Sequence, residues 1–160
     1  MQAKNHCFFY GIVERLFSQV NIRSDFFTSE AFRNNPLFLR NQFEGEGTFQ
    51  IPIVKKQHIS LEQLKFIGYD HIKSDERENK DSVVHFFLDD YKFEVLWNHP
   101  EPRLEKLKQY KAVLTPQYSL YTEMPITLQI YNTFRNRWVG AYLQSNGITV
   151  IPTMCWGEPQ

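Results

Sequence analysis

The sequence predicts an α/β protein, with a small parallel or mostly parallel sheet of three to four strands, crossover helices and a helical N-terminal cover. Short apolar runs rich in β-branched and aromatic residues alternate with longer segments of helical periodicity, an order typical of strand–helix–strand units. Of the 160 residues, 42% are hydrophobic and 16% aromatic. That apolar content is enough for one packed domain of this length and argues against disorder.

The N-terminal part of the chain predicts helical cover for that sheet. Residues 6–20 place apolar side chains at spacings of three and four, which is typical of an amphipathic helix. Residues 25–34 predict a second short helix that ends before Pro36. We therefore divide the single domain into an N-terminal helical segment, 1–45, that packs on an α/β core, 46–160.

The beginning of the core is less regular. Residues 49–54 form an extended apolar segment, which we expect to supply the fourth strand. The spacing of Leu61, Leu64 and Ile67 predicts one or two helical turns. Residues 73–81 are mostly charged and predict a solvated loop.

The second half of the chain carries the strongest pattern. Pro125 is a residue typical of a first helical turn, and Asn146-Gly147 is typical of a helix end. The predicted elements are a strand at 83–88, helical turns at 91–97, a helix at 103–110, a strand at 112–114, the longest helix at 125–145 and a last strand at 148–151.

Charge and cysteine content narrow the binding partners and the cellular compartment that we expect for the protein. Lys plus Arg and Asp plus Glu number 18 each, so no net field attracts nucleic acid or anionic lipid, and nucleic-acid binding is expected to be weak. No apolar run approaches the roughly 20 residues that span a bilayer, and no signal peptide is visible. Cys7 and Cys155 lack a partner motif, which favours a reducing cytoplasm.

The residues at the carboxyl end of the predicted 83–88 strand form the most reactive cluster in the sequence. Ligands of parallel sheets bind beyond the carboxyl ends of the strands. Asp89, Asp90 and Glu94 could there hold Mg²⁺ and position a phosphate ester, and His85 is a further candidate for catalysis. The alternative is that one Asp caps the next helix while the other is solvated. No zinc spacing occurs, so no cofactor is expected apart from Mg²⁺ in this hypothesis.

The longest helix carries two faces. An apolar stripe predicts the core side, and an opposite side rich in amides and guanidinium groups is a candidate recognition surface. That polar side could instead satisfy buried backbone groups, and the sequence leaves both interpretations open. The stripe comprises Ile126, Ile130, Phe134, Trp138 and Tyr142; the candidate binding residues are Gln129, Asn132, Arg135, Arg137, Tyr121 and Trp156.

From about residue 37 to 156 the chain resembles a bacterial family catalogued as domain of unknown function 4417. The resemblance rests on VHFFLDDYKFEVLWNHP at 84–100, LTPQYSLYTEMPITLQIYNTFRNRWVGAYLQSNGITVIP at 114–152, and Cys-Trp-Gly at 155–157. It implies an association with prophages, plasmids and other mobile elements, and no assigned catalytic residue. Family members continue with further strand and helix beyond the point where this chain stops, and its first 25 residues look additional.

The resemblance, together with neutral charge and aromatic richness, favours one functional class. We expect a mobile-element accessory protein that binds a host or defence-system macromolecule, with inhibition as one form of that binding. The alternative is a Mg²⁺-dependent phosphoester hydrolase or nuclease at the carboxylate cluster. A protein partner is expected, and a homodimer through the Phe8–Phe17 helix or the terminal strand edge, 148–152.

Overall fold

The computed structural model describes residues 39–60, 62–75 and 80–154. The chain divides into two compact units, and every element given below belongs to the second, Phe43–Gln160. The predicted helices at 6–20 and 25–34 lie outside the described residues, as do Cys155 and Trp156.

Six strands and three α-helices make up the described structure. The strands are β1 (Gly45–Glu46), β2 (Ile51–Pro52), β3 (Lys65–Gly68), β4 (Lys80–His85), β5 (Tyr110–Leu114) and β6 (Val150–Ile151). The α-helices are α1 (Val95–Asn98), α2 (Glu101–Leu107) and α3 (Ile126–Ser145), with short 3₁₀ turns at Tyr69–His71 and Asp90–Lys92.

The main sheet has four strands in the order β3-β4-β5-β6, and each neighbouring pair is parallel. Helices α1 and α2 connect β4 to β5, and α3 connects β5 to β6. This arrangement confirms the predicted α/β class and parallel sheet, and α3 matches the predicted longest helix to within one residue.

The predictions for the fourth strand and for the helical turns at 61–67 were wrong. Residues Ile51–Pro52 pair antiparallel with Gly45–Glu46 in a separate two-stranded sheet. Proline has no backbone N–H, so this segment suits a short hairpin better than the main sheet. The fourth strand is Lys65–Gly68, which pairs in register with Ser82–His85. The spacing of the three apolar residues is compatible with a helical turn. In so short a segment, however, pairing with a neighbouring strand determines the secondary structure.

The predicted solvated loop at 73–81 was also wrong in part. Its last residues, Lys80 and Asp81, begin β4. Asp75 is buried and its carboxylate accepts a hydrogen bond of 2.8 Å from the Tyr110 hydroxyl. Tyr110, which the sequence placed at a helix end, therefore begins β5 and is fixed there by a buried acid.

Both faces of the sheet carry apolar side chains, as expected for parallel strands. Alternation along the strands places Val83, Ala112 and Leu114 on one face, where Ile59 and Leu64 pack against them. Alternation places the fully buried Val84 and Val113 on the opposite face. Beyond the end of β4, Phe86, Phe93 and Tyr118 form a chain of ring contacts with centroids 5.2 to 5.5 Å apart. All of these rings are buried. Within the described residues, no helix has the length and apolar character needed to cross a membrane.

Helix α3 packs tightly against the end of β5 at Gly140. A Cβ at this position would lie 2.7 Å from Thr115 Cγ2 and 2.9 Å from Val54 Cγ2. Real Cβ atoms do not approach carbon so closely, so only glycine lets α3 fit between the end of β5 and the segment after β2.

Replacing Gly140 with alanine tests this packing. In an exposed helix the change would stabilise by about 1 kcal/mol. Here we expect it to destabilise the fold by about 1–3 kcal/mol, because the new methyl group overpacks the contact. Urea unfolding measures the difference. The double variant Gly140→Ala/Thr115→Ser removes the closer methyl and should recover part of the loss; a stabilised single variant would contradict the packing argument.

Candidate functional site

A cleft lies beyond the carboxyl ends of β4 and β5. Its volume is about 790 Å³, and it is bordered by the loop after β4, the loop after β5 and a residue that follows β6. This is the edge of a parallel sheet at which ligands bind. The lining residues are Phe86, Phe87, Leu88, Asp89, Lys92, Gln117, Ser119, Leu120, Tyr121 and Met154.

Ser119 holds one wall of the cleft in place. The Asp90 carboxylate accepts hydrogen bonds from the Ser119 backbone N–H, at 3.1 and 3.2 Å, and from its hydroxyl, at 3.0 Å. The Asn132 side-chain amide donates to the Ser119 carbonyl at 2.7 Å. All three polar groups of Ser119 are thus bonded, so the loop after β5 is fixed both to the loop after β4 and to α3.

Arg135 lies behind this wall, 8% exposed. Its guanidinium group pairs with the Glu94 carboxylate and stands 3.8 Å from the centre of the Tyr118 ring. The rings of Trp97 and Tyr131 flank it at 5.5 and 5.4 Å. Burial raises the pKa of the Tyr118 phenol far above its usual range, so this ring stays neutral beside the ion pair.

The predicted core stripe of α3 needs correction. Ile126, its first member, is exposed, whereas the amide and guanidinium face of the helix is buried. The reason is that this face meets the ends of strands and the loops beyond them, which present unpaired backbone groups. Gln129 donates to the Met124 carbonyl at 2.9 Å, for example. The buried polar residues are Gln129, Asn132, Arg135 and Asn136.

The other candidate site residues lie in different environments. Asp89 is exposed in the cleft and, within the part of the chain described, makes no side-chain bond to the 3₁₀ turn that follows it. His85 stacks on Phe87 with ring centres 5.3 Å apart. Arg137 lines a second cleft of about 380 Å³ beside β1 and β2, whereas Tyr121 lines the first.

The three carboxylates proposed for Mg²⁺ have different surroundings. Asp90 is bonded to Ser119, Glu94 is paired with Arg135, and Asp89 faces the cleft. Among the described residues, no three His, Cys, Asp or Glu side chains are grouped so that they could hold a metal ion.

Sequence reasoning missed four residues that shape the cleft. Phe87 belonged to an apolar strand pattern, and Met154 follows the last strand, so nothing in either pattern indicated exposure. Lys92 and Ser119 carry no motif. The sequence carried only a signal for their position, since Lys92, Ser119 and Met154 follow the carboxyl ends of predicted strands and Phe87 lies near the end of one.

Comparisons with known proteins give the class to which this arrangement belongs. Residues 43–160 match the family model described as "Domain of unknown function (DUF4417)", and the chain belongs to that family. No solved structure matches it.

Two relatives come from bacteriophages. The chain is 42% identical over 123 residues to the Gene 1 protein of Mycobacterium phage L5, which covers 77% of this chain and 53% of that protein. It is 50% identical over 77 residues to the Gene 1 protein of Mycobacterium phage D29, which covers 48% of this chain and 28% of that protein. The chain thus spans about half the length of these relatives, or less.

The buried polar face of α3 can be tested by truncation. Asn132→Ala leaves the Ser119 carbonyl without its donor, and we expect it to lower the free energy of unfolding by about 1–3 kcal/mol. The triple variant Gln129→Ala/Asn132→Ala/Arg135→Ala should not fold. Thr127→Ala, at an exposed position of the same helix, is the control. A triple variant with normal thermal stability would instead favour the recognition-surface interpretation.

The two adjacent aspartates offer a matched pair. Asp90→Ala removes the acceptor of three hydrogen bonds to Ser119, so we expect a loss of about 1–3 kcal/mol. Asp89→Ala should change stability by less than about 0.5 kcal/mol, since its side chain is exposed. Chemical denaturation of both variants measures the difference, and equal losses would show that the Ser119 contact contributes little.

Proposed function

We propose that the protein acts by stoichiometric binding of a protein partner at the cleft beyond β4 and β5. The observation that carries the proposal is a set of large apolar side chains exposed at the cleft. Phe87 is 61% exposed, Tyr121 59% and Met154 69%. Exposed apolar side chains that line one concavity are typical of protein interaction sites, where aromatic anchors supply much of the binding energy.

The rigidity of the cleft wall supports this function. Tyr121 follows Ser119 by two residues, and Ser119 is held by Asp90 and Asn132. A wall fixed in the free protein loses little conformational entropy when a partner binds. The buried polar bonds behind the cleft therefore serve to present its apolar groups in one geometry.

The charges of the cleft favour protein over nucleic acid. Its lining includes one carboxylate, Asp89, and one ammonium group, Lys92. Two lysines outside the cleft have acidic partners: Lys108 pairs with Glu105, and Lys111 with Asp81. Nucleic-acid surfaces need an excess of unpaired cations, so binding there is expected to be weak.

The phage relatives suggest the kind of partner. Because they are proteins of mycobacteriophages, we propose that the partner is a host or defence-system protein and that binding inhibits it. A homodimer through β6, or through residues 8–17, which lie outside the described residues, is a second, independent proposal.

The Mg²⁺-dependent phosphoester hydrolase remains the alternative. It requires Asp90 and Glu94 to exchange their present partners for a metal ion. Incubation with plasmid, single-stranded DNA and RNA in Mg²⁺ or Mn²⁺ distinguishes the two functions. Metal-dependent cleavage that Asp89→Asn abolishes would replace the binding proposal with this one.

Comparative capture from a mycobacterial lysate tests the binding proposal. The bait proteins are the wild type, the double variant Phe87→Ala/Tyr121→Ala, and Phe49→Ala. Phe49 is a matched control because it is 55% exposed and lies away from the cleft, in the turn between β1 and β2. We expect a protein retained by the wild type and by Phe49→Ala but reduced at least about tenfold with the double variant, as loss of two anchors predicts.

Two outcomes would contradict the proposal. One is equal retention by all three baits, which would place the interaction elsewhere. The other is retention of nucleic acid that nuclease treatment removes together with any captured protein. Circular dichroism and thermal unfolding of the double variant show whether its fold is intact, since both substituted side chains are exposed.

A further inference from the structure

A second group of polar side chains lies beside the cleft, at the carboxyl ends of β3 and β4. The Asp70 carboxylate is bonded through Oδ1 to His71 Nδ1 at 2.8 Å and through Oδ2 to Lys92 Nζ at 3.4 Å. Partial burial acts to raise the pKa of Asp70, but the hydrogen bonds from Lys92 and His71, together with the charge of Lys92, outweigh it and hold that pKa below its usual range. Asp70 is therefore an ionised acceptor at neutral pH.

The bond to Asp70 fixes the tautomer of His71. A carboxylate can only accept, so Nδ1 of the imidazole carries the proton and Nε2 keeps its lone pair. The His71 side chain is 73% exposed, so this lone pair is open to a reactant. A carboxylate that orients an imidazole in this way is the arrangement of a general base.

His85 lies close to His71 and has the opposite tautomer. Its Nδ1 accepts a hydrogen bond of 3.3 Å from the Phe87 backbone N–H, so its proton is on Nε2, where it can be donated. The two imidazoles are neighbours around Gly68, since a Cβ there would lie 3.4 Å from His71 Nδ1 and 3.6 Å from His85 Cε1.

Gly68 makes the arrangement possible. A Cβ at this position would lie 2.6 Å from Asp70 Oδ1, the oxygen that holds His71. The backbone angles of Gly68, φ −68° and ψ 141°, are ordinary for any residue. Its lack of a side chain therefore serves the placement of Asp70 and not the conformation of the chain.

We propose that His71, oriented by Asp70, is the general base of a metal-independent site that hydrolyses carboxylic esters whose acyl group is apolar. Two lining residues connect this site to the cleft: Lys92 contacts Asp70, and Phe87 stacks on His85. The cleft can hold the apolar acyl group. Asp70 pairs with Lys92, and the cleft lining adds the carboxylate of Asp89, so these three residues carry no excess of positive charge and suit a neutral ester better than a phosphodiester.

The reaction needs only water. His71 Nε2 removes a proton from water as the oxygen attacks the carbonyl carbon, and the π electrons of the carbonyl move to its oxygen. The Lys92 ammonium group and His85 Nε2–H are the donors available to that oxyanion. When the C=O bond re-forms, the bond to the alkoxide breaks, and the alkoxide takes the proton from His71. The products are one carboxylic acid and one alcohol.

Hydrolysis of p-nitrophenyl butyrate in EDTA tests the proposal with the full chain. We expect His71→Gln to lower kcat/KM about a hundredfold, the range of general-base catalysis, and His58→Gln, at another exposed histidine, to leave it unchanged. Asp70→Asn and Gly68→Ala should each lower it at least about tenfold. Equal rates for the wild type and His71→Gln, or a wild-type rate equal to that of free imidazole at the same concentration, would overturn the proposal.

The positioning roles of Asp70 and Gly68 have a second readout. Nitrogen NMR of the imidazoles should show His71 protonated on Nδ1 in the wild type and a shift towards the Nε2 tautomer in Asp70→Asn and Gly68→Ala. An unchanged tautomer in both variants would overturn the orienting contact. Capture with the Phe87 and Tyr121 variant is independent of these measurements, so the hydrolytic site and the binding function can fail separately.

Discussion

The ion pair between Glu94 and Arg135 connects the parts of this protein that matter for its site. Glu94 immediately precedes α1, Arg135 lies in the middle of α3, and the Tyr118 ring beneath the guanidinium belongs to the loop after β5. A buried cation without its carboxylate would be costly, so these three segments must pack together or not at all. Such a pair adds little net stability but allows few alternative packings of its neighbours, and the neighbours here are the cleft walls.

The polar side chains of α3 satisfy backbone groups in the loops at the carboxyl end of the sheet. Loops that follow parallel strands cannot continue the hydrogen-bonded ladder, and their backbone groups need partners from elsewhere. Amides at spacings of three along one helix supply them, as Asn132 does for Ser119 and Gln129 for Met124. Further along the same helix, Val139 and Leu143 are fully buried, and the Trp138 ring lies 5.5 Å from that of Trp97. The helix thus buries mostly polar side chains in its first half and apolar ones in its second.

Some elements of this architecture could be predicted from the sequence, and others could not because they depend on residues distant in the chain. The strands at β4 and β5 and the helix α3 are long or strongly patterned, and all three were predicted. Residues 65–68 form a strand only because β4 offers a partner, which no local pattern shows. Burial of Gln129 and Arg135 depends on what lies opposite α3, so composition alone left two interpretations. The pairing of Asp70 with Lys92 joins residues 22 apart in sequence and had no motif.

The order of the strands has a consequence for how the chain folds. Each parallel strand pairs with the next one in sequence, β3 with β4, β4 with β5 and β5 with β6. The sheet can therefore grow in one direction as the chain leaves the ribosome, and no strand has to be inserted between two that have already paired. Each addition closes one loop of moderate length, which costs less entropy than a long-range closure. Strand β6 is the last of the four in sequence and Met154 follows it, so the cleft gains this lining residue only when β6 has paired with β5.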